Sequence, residues 1–299
     1  MKKTLQILLL STVILFSCNN DDGNNDNTPE TEAETPNNTT TENEPVDLDK
    51  VVYNIPVVVN VVYKNSPLEE SAIENQIQYL NDVFAGKETD INQVPEPFKD
   101  DIAGDIKIRF SLQNIFQRQT TRDDFRDDRN EIATNRFGIA GTNIGRTLNI
   151  WIAVLAGDNG DATFPGLPQE DLFIEGVYID RASVGPRTGI GIRNEGKQIV
   201  HEIGHFFNLF HLSGLNDTTT GCQFDDEVED TPNSEAIYFG RPEAGVATCG
   251  SQDMFMNFME NVFDDTRIMF TKGQKARMRA TLVEGGVRAS YVSSTSIED

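Results

Sequence analysis

All three histidines of this 299-residue chain fall within eleven positions, in "HEIGHFFNLFH" (201–211). On a helix, residues four apart are offset by about 40°, so His201 and His205 project from one face, a turn apart. That spacing lets two imidazoles share one tetrahedral ion, and zinc is the usual occupant. Glu202 lies about 100° round from His201, beside such an ion without having to bind it. A carboxylate there can take a proton from an activated water. H-E-x-x-H alone also fits two ordinary surface histidines on a helix. His211 narrows the choice. Were the helix to continue, His211 would sit about 9 Å beyond His205 and on another side. It reaches the same ion only if the chain turns sharply between them. Asn208 suits that turn, because after glycine its short amide best tolerates left-handed backbone. Three neutral imidazoles leave one tetrahedral corner for water, the arrangement of a catalytic rather than a structural site.

These residues need a scaffold, and the periodicities before them supply one. "VVYNIPVVVNVVY" (51–63) is β-branched and almost continuously apolar, as a buried strand is. Ile73, Ile77, Leu80 and Phe84 recur at helical spacing after a helix-start signal in "SPLEE". "IKIRFSL" (106–112) alternates, with Ile106, Ile108, Phe110 and Leu112 on one face. "LNIWIAVL" (148–155) and "GVYID" (176–180) read as two more strands, and the histidine segment as a helix from about Glu195. The charged run from Phe116 to Gly145 is not assigned to an element. Beyond Leu212 the chain is rich in Gly, Asp, Asn and Pro until "TKGQKARMRATL", where Thr271 and Gln274 form a capping box for a last helix. A strand-and-helix half is thus followed by an irregular half.

The formal charge is −23, with 48 acidic against 25 basic residues. Nucleic acid and anionic membrane surfaces are poor partners for such a chain; divalent cations and cationic peptides fit it, although an acidic surface also serves plain solubility. Lys2 and Lys3 precede a short apolar run, "LQILLLSTVILF", too short for a lasting transmembrane helix, so residues 1–17 read as a signal peptide. "LFSC" resembles a bacterial lipobox, which implies cleavage before Cys18, lipidation of that cysteine and anchoring to the outer membrane or cell surface. An ordinary secretory signal is the alternative, and either implies export. Residues 18–49 hold ten acidic and no basic residues after Cys18, a disordered tether. The folded part is then 50–299, divided near 211 into an upper part and a lower one over 212–292. Cys222 and Cys249 remain, in a compartment that permits a disulfide; they read as one bridge or as two thiols.

"HEIGHFFNLFH" resembles the long zinc signature of the metzincin peptidases, H-E-x-x-H-x-x-G/N-x-x-H, and "MNFMEN" (256–261) resembles their Met-turn. "CQFDDEVEDTP" (222–232) and "FTKGQKARMRATL" (270–282), with the opening strand and helix, are similar to the pappalysin family, over roughly residues 51 to 285. The resemblance implies an α+β metzincin fold. A twisted mixed five-stranded sheet and two helices form its N-terminal half, and an irregular C-terminal half carries the Met-turn and a C-terminal helix. It implies a monomeric zinc endopeptidase that takes protein or peptide substrates. His201, His205 and His211 would bind zinc, Glu202 would act as general base and then acid, and Met259 would form an apolar floor. Cys222 and Cys249 would be bridged. Asp226, Asp230 and Thr231 lie where relatives bind calcium, though a solvated acidic loop fits as well. Asn261 stands where the family often has a Tyr assisting the transition state; Asn can still donate a hydrogen bond. The substrate would extend along an edge strand, "LNIWIAVL" being the expected one. The rival reading is a non-catalytic surface binding protein that keeps fold and metal, against which the intact Glu202 argues.

Overall fold

The computed structural model describes residues 47–126, 128–185, 195–214 and 221–298. The expected signal peptide, the expected lipidation site Cys18 and the expected tether up to residue 46 lie outside the described residues. In chain order the elements are β1 (Val51–Tyr63), α1 (Glu70–Phe84), β2 (Ile108–Gln119), the single turn α2 (Arg129–Ile132), β3 (Leu148–Ala153), β4 (Gly160–Ala162), β5 (Val177–Asp180) and α3 (Lys197–Phe206). The two-residue strands β6 (Phe239–Gly240), β7 (Ala247–Thr248), β8 (Ser251–Gln252) and β9 (Asn261–Val262) follow, then α4 (Lys272–Ala280) and β10 (Ser294–Ile297). No described helix is long and apolar enough to cross a membrane.

β1 is the spine of the main sheet. β2 runs parallel along one side of it; β3 and then β5 run parallel on the other, and β4 closes that side antiparallel to β5. These five strands make the expected mixed sheet of an α+β fold. A sixth comes from the far end of the chain: β10 pairs antiparallel with residues 51–54 of β1. α1 and α3 pack on one face, where Leu148, Ile150 and Ile152 of β3 join the main core. Trp151 and Ala153 of the same strand point to the other face and join Phe125, Ile132 and Tyr178. Trp151 and Tyr178 stack there with centroids 4.9 Å apart.

The burial of β3 on both faces overturns the expectation that "LNIWIAVL" is the edge strand. A strand covered above, below and on both flanks has no polar side to show, so its continuous apolar run marks an interior position. The edge on that side of the sheet is β4, which the sequence reading did not place. The other differences are smaller. β2 begins after Lys107, whose positive φ of 63° interrupts the strand, and continues to Gln119. α1 starts at Glu70 with no side-chain cap, and α3 starts two residues later than expected. The capping box of Thr271 and Gln274 on α4 is present.

The C-terminal half is held less by strands than by cross-links. Cys222 and Cys249 are bridged at a sequence separation of 27, a loop closure that stabilises by about 3.5 kcal/mol in the chain-entropy account. A buried ionic knot ties the C-terminal segment to α3 and to the chain between β4 and β5. Arg288, 1 % exposed, donates to the Phe206 carbonyl at the end of α3, to the Thr163 carbonyl just past β4, and to Glu175, which also accepts from Tyr291.

Candidate active site

α3 is buried along its whole length. His201 and His205 stand on one face, and the chain turns after Phe206 to bring His211 to meet them. The three Nε2 atoms lie 3.0, 3.1 and 3.2 Å apart. Among the described residues this is the one cluster of three His, Cys, Asp or Glu able to share an ion.

Asn208 makes the turn, with φ 73°. Leu209 N–H donates to the Gly204 carbonyl and Asn208 N–H to that of His205, the paired bonds of a Schellman cap. The Asn208 carbonyl accepts from Arg277 Nε of α4 at 2.7 Å. The cap also orients a ligand, because the Leu209 carbonyl lies 2.8 Å from His205 Nδ1. Past the turn, a bridge between His211 and Gly214 fixes the third histidine's backbone. Tolerance at position 208 is therefore set by backbone sterics. Asn208→Gly should retain zinc within about twofold of the parent against a competing chelator, since glycine has no Cβ penalty. Asn208→Val should lose roughly tenfold, a β-branched residue being strained in this region. Equal retention by Val and Asn would show that the turn does not govern His211.

The first ligand is oriented from the C-terminal half. His201 Nδ1 lies 2.7 Å from the Phe258 carbonyl, and the adjacent Met259 is fully buried against Gly204 of α3. Asn257 holds this turn by accepting from Met259 N–H, and its side chain exchanges hydrogen bonds with Gln274 of the α4 capping box. The box therefore reaches the site as well as starting a helix. Gly204 explains how Met259 comes so close: a Cβ there would lie 2.4 Å from the Met259 sulfur.

The ring geometry also tests whether a cation fits. With the Nδ1 protons of His201 and His205 given to carbonyls, their Nε2 atoms present lone pairs toward one point. Lone pairs at that separation repel unless a cation lies between them. A tetrahedral ion with Zn–N of 2.0–2.1 Å holds its nitrogens about 3.4 Å apart, close to the spacing found. Burial, with His205 and Arg267 beside it, lowers the His201 pKa well below the usual value, which keeps the ring neutral as a metal ligand must be. The three histidines fit zinc.

Glu202 follows His201 on α3 and is itself buried. Burial first, and then Asp161, pushes its carboxyl well above the ordinary range, against a hydrogen bond from Gln198 that lowers it. Asp161 is itself paired with Arg129. Gly160 of β4 faces the carboxyl so closely that a Cβ would come within 2.8 Å of Glu202 Oε1. The edge strand and the acid thus touch through a residue without a side chain. Gly160, Gly204 and Gln198 were missed by the sequence reading; each acts through a contact with a distant or freshly folded neighbour, and spacing carries no sign of it.

The other expected residues are placed as follows. Asp226 Oδ1 accepts from Thr231 Oγ1 at 2.6 Å, and its Oδ2 is buried with no hydrogen bond among the described residues. Burial pushes this carboxyl up to about 7. Asp230 faces elsewhere: its two oxygens accept from Thr271 Oγ1 and Gly273 N–H at the start of α4. Asn261 lies in β9, its backbone paired with that of Phe239.

Residues 189–283 match the Peptidase_M43 family, described as pregnancy-associated plasma protein-A. An extracellular metalloprotease of Arthroderma gypseum is 38 % identical over 108 residues, 35 % of this chain and 36 % of that protein. One from Sordaria macrospora is 27 % identical over 237 residues, 75 % of this chain and 73 % of the relative. The chain thus matches about a third of the length of the first of these curated relatives. Among solved structures, mature mirolysin of Tannerella forsythia in complex with a cleaved peptide is 32 % identical with a TM-score of 0.75, covering 81 % of this chain and 96 % of that one. Promirolysin of the same organism gives the same identity and TM-score over 81 % and 84 %.

Proposed function

Since the chain belongs to the Peptidase_M43 family of metallopeptidases, we propose that it is an exported zinc endopeptidase whose general base is Glu202. The observation that carries this reading is the convergence of three histidine Nε2 atoms beside a buried carboxyl. His201, His205 and His211 would hold the metal. Zinc, when bound, supplies Lewis-acid polarisation of the scissile carbonyl and of the attacking water. Glu202 takes the proton from that water and passes it to the leaving amine. A cation at the histidines would also favour its ionised form, offsetting the effect of burial. Met259 keeps the floor under the ligands apolar and Asn208 holds the third ligand in place. At Asn261 a side-chain amide would serve where relatives often have a phenol.

The substrate would lie along β4, whose outer side is unpaired among the described residues and whose Gly160 abuts Glu202. An extended peptide there gains main-chain hydrogen bonds as an added strand and passes its backbone next to the base. The names of the curated relatives, extracellular metalloproteases, support export and a peptide or protein substrate. For calcium we propose Asp226 and Thr231 as oxygen donors. The support is the buried, unpartnered Asp226 Oδ2, with Asp230 fastening the same loop to α4.

A metal add-back experiment tests both ions. After chelation the enzyme should be inactive on a peptide library, and about one equivalent of zinc should restore hydrolysis. Calcium alone should raise the melting temperature without restoring activity. Hydrolysis that survives complete chelation would sink the zinc reading, and a melting temperature indifferent to calcium would sink the second site. The upper and lower division near residue 211, a monomeric state and the lipid anchor on Cys18 are part of the same proposal. Cys18→Ala should move the protein out of the membrane fraction or leave it unprocessed. An unchanged fractionation would rule the anchor out.

A further inference from the structure

We infer that Gln198 is a positioning residue for Glu202, and that Arg267 sets the direction of its amide. The inference rests on the reading of Glu202 as the base. Gln198 Nε2 donates to Glu202 Oε1 at 2.6 Å, and Gln198 Oε1 accepts from Arg267 Nη1 at 3.0 Å. All three side chains are buried, Arg267 completely. A guanidinium has donors only, so the amide oxygen must face Arg267. The amino group is then left facing Glu202, where an ionised carboxylate can only accept. Arg267 thus determines which end of Gln198 the base meets, and a flipped amide would set an oxygen against a carboxylate oxygen.

The consequence for Glu202 is a choice between its two oxygens. Oε1 is engaged by Gln198, and no hydrogen bond to Oε2 is found among the described residues. Oε2 is the atom left to take the water's proton. Gln198 and Glu202 are four residues apart on α3 and share a face, and Gly160 lies close against the same carboxyl, nearest to Oε1. Arg267 lies 69 residues further on, between the Met259 turn and α4. The aim of the base therefore depends on the C-terminal half being docked, as the orientation of His201 does through Phe258. Misplacing a reacting group by about 1 Å can cost on the order of 100-fold in rate.

Gln198→Leu keeps the bulk and removes the donor. In the zinc-loaded enzyme it should lower kcat between about 10- and 100-fold with KM within twofold, while zinc retention against a chelator stays near the parent's; the melting temperature should fall by a few degrees, because the buried Arg267 Nη1 loses its acceptor. Arg267→Lys keeps a donor to the Gln198 oxygen and should retain most of the activity; Arg267→Met should not. If Arg267→Met does not fold, the Gln198→Leu and Arg267→Lys pair still decides. In metal-free crystals the Glu202 carboxyl should hold one position in the parent and leave it, or split, in Gln198→Leu. A kcat for Gln198→Leu within twofold of the parent, or an unmoved Glu202 carboxyl, would overturn the inference. An active Glu202→Gln variant would instead remove the base reading itself, so the two failures are distinguishable.

Discussion

Replacing Glu202 by Gln should lower kcat/KM by about 10²–10⁴-fold while leaving the zinc content of the purified protein unchanged. The substitution keeps shape and volume, and its amide oxygen can still accept from Gln198. What disappears is the ability to take a proton from water. The three ligands are untouched, because their ring orientations come from the Phe258 and Leu209 carbonyls and the His211–Gly214 bridge. Stability points the same way. The site withdraws an ionisable group from water, and a neutral amide there avoids that desolvation, so the melting temperature should be equal to or above the parent's. Loss of activity together with loss of zinc or of fold would place Glu202 in the structure instead. A fully active variant would exclude it from the mechanism, and the rival reading of a metal-holding binding protein would then gain ground.

The second large effect should come from Arg288, far from the three histidines in sequence. Its guanidinium is buried among the Phe206 and Thr163 carbonyls and Glu175, and lies over the Phe206 ring with 3.5 Å to the centroid. Burial lowers its pKa, a sign that desolvation outweighs its partners. Removing one partner of such a pair typically costs 3–5 kcal/mol, because the other charge is left buried alone. Arg288→Met should therefore lower the melting temperature by roughly 6–20 °C for a domain of this size. Replacing both members, Arg288→Met with Glu175→Leu, should recover part of the loss, since two apolar groups leave no orphaned charge. Differential scanning calorimetry of the parent, single and double variants checks this. Equal stability of all three would show that the knot does not hold the halves together. Because Phe206 ends α3 and Thr163 follows β4, the single variant should also slacken the spacing between the zinc helix and the edge strand.

The three-histidine cluster was legible in the sequence because its information is local. Two imidazoles four residues apart share a helix face whatever surrounds the helix, and an Asn placed to bring a third round declares a left-handed turn. That turn appears at Asn208, with the cap bonds such a turn requires. The α4 capping box and the apolar faces of β1 and α1 were legible for the same reason: each depends on a backbone period of two or 3.6 residues. Edges, pairings and close approaches depend on segments that meet only after folding. The apolar run of β3 announces burial but not which neighbours cover it, and only the folded sheet puts β4 outside β5 as the edge. β10 reaches β1 across more than two hundred residues, and nothing in "STSI" names that partner. Gly160 and Gly204 matter because Glu202 and Met259 approach them, and a glycine's sequence context does not say what will press against it. Asp230, expected in a calcium loop, accepts from Thr271 and Gly273 at the N-terminus of α4, a pairing that the fold and not the local sequence selects. Residue type and local spacing determined the chemistry this chain can perform; tertiary packing decided which groups orient it, since their bonds join residues that the chain itself keeps apart.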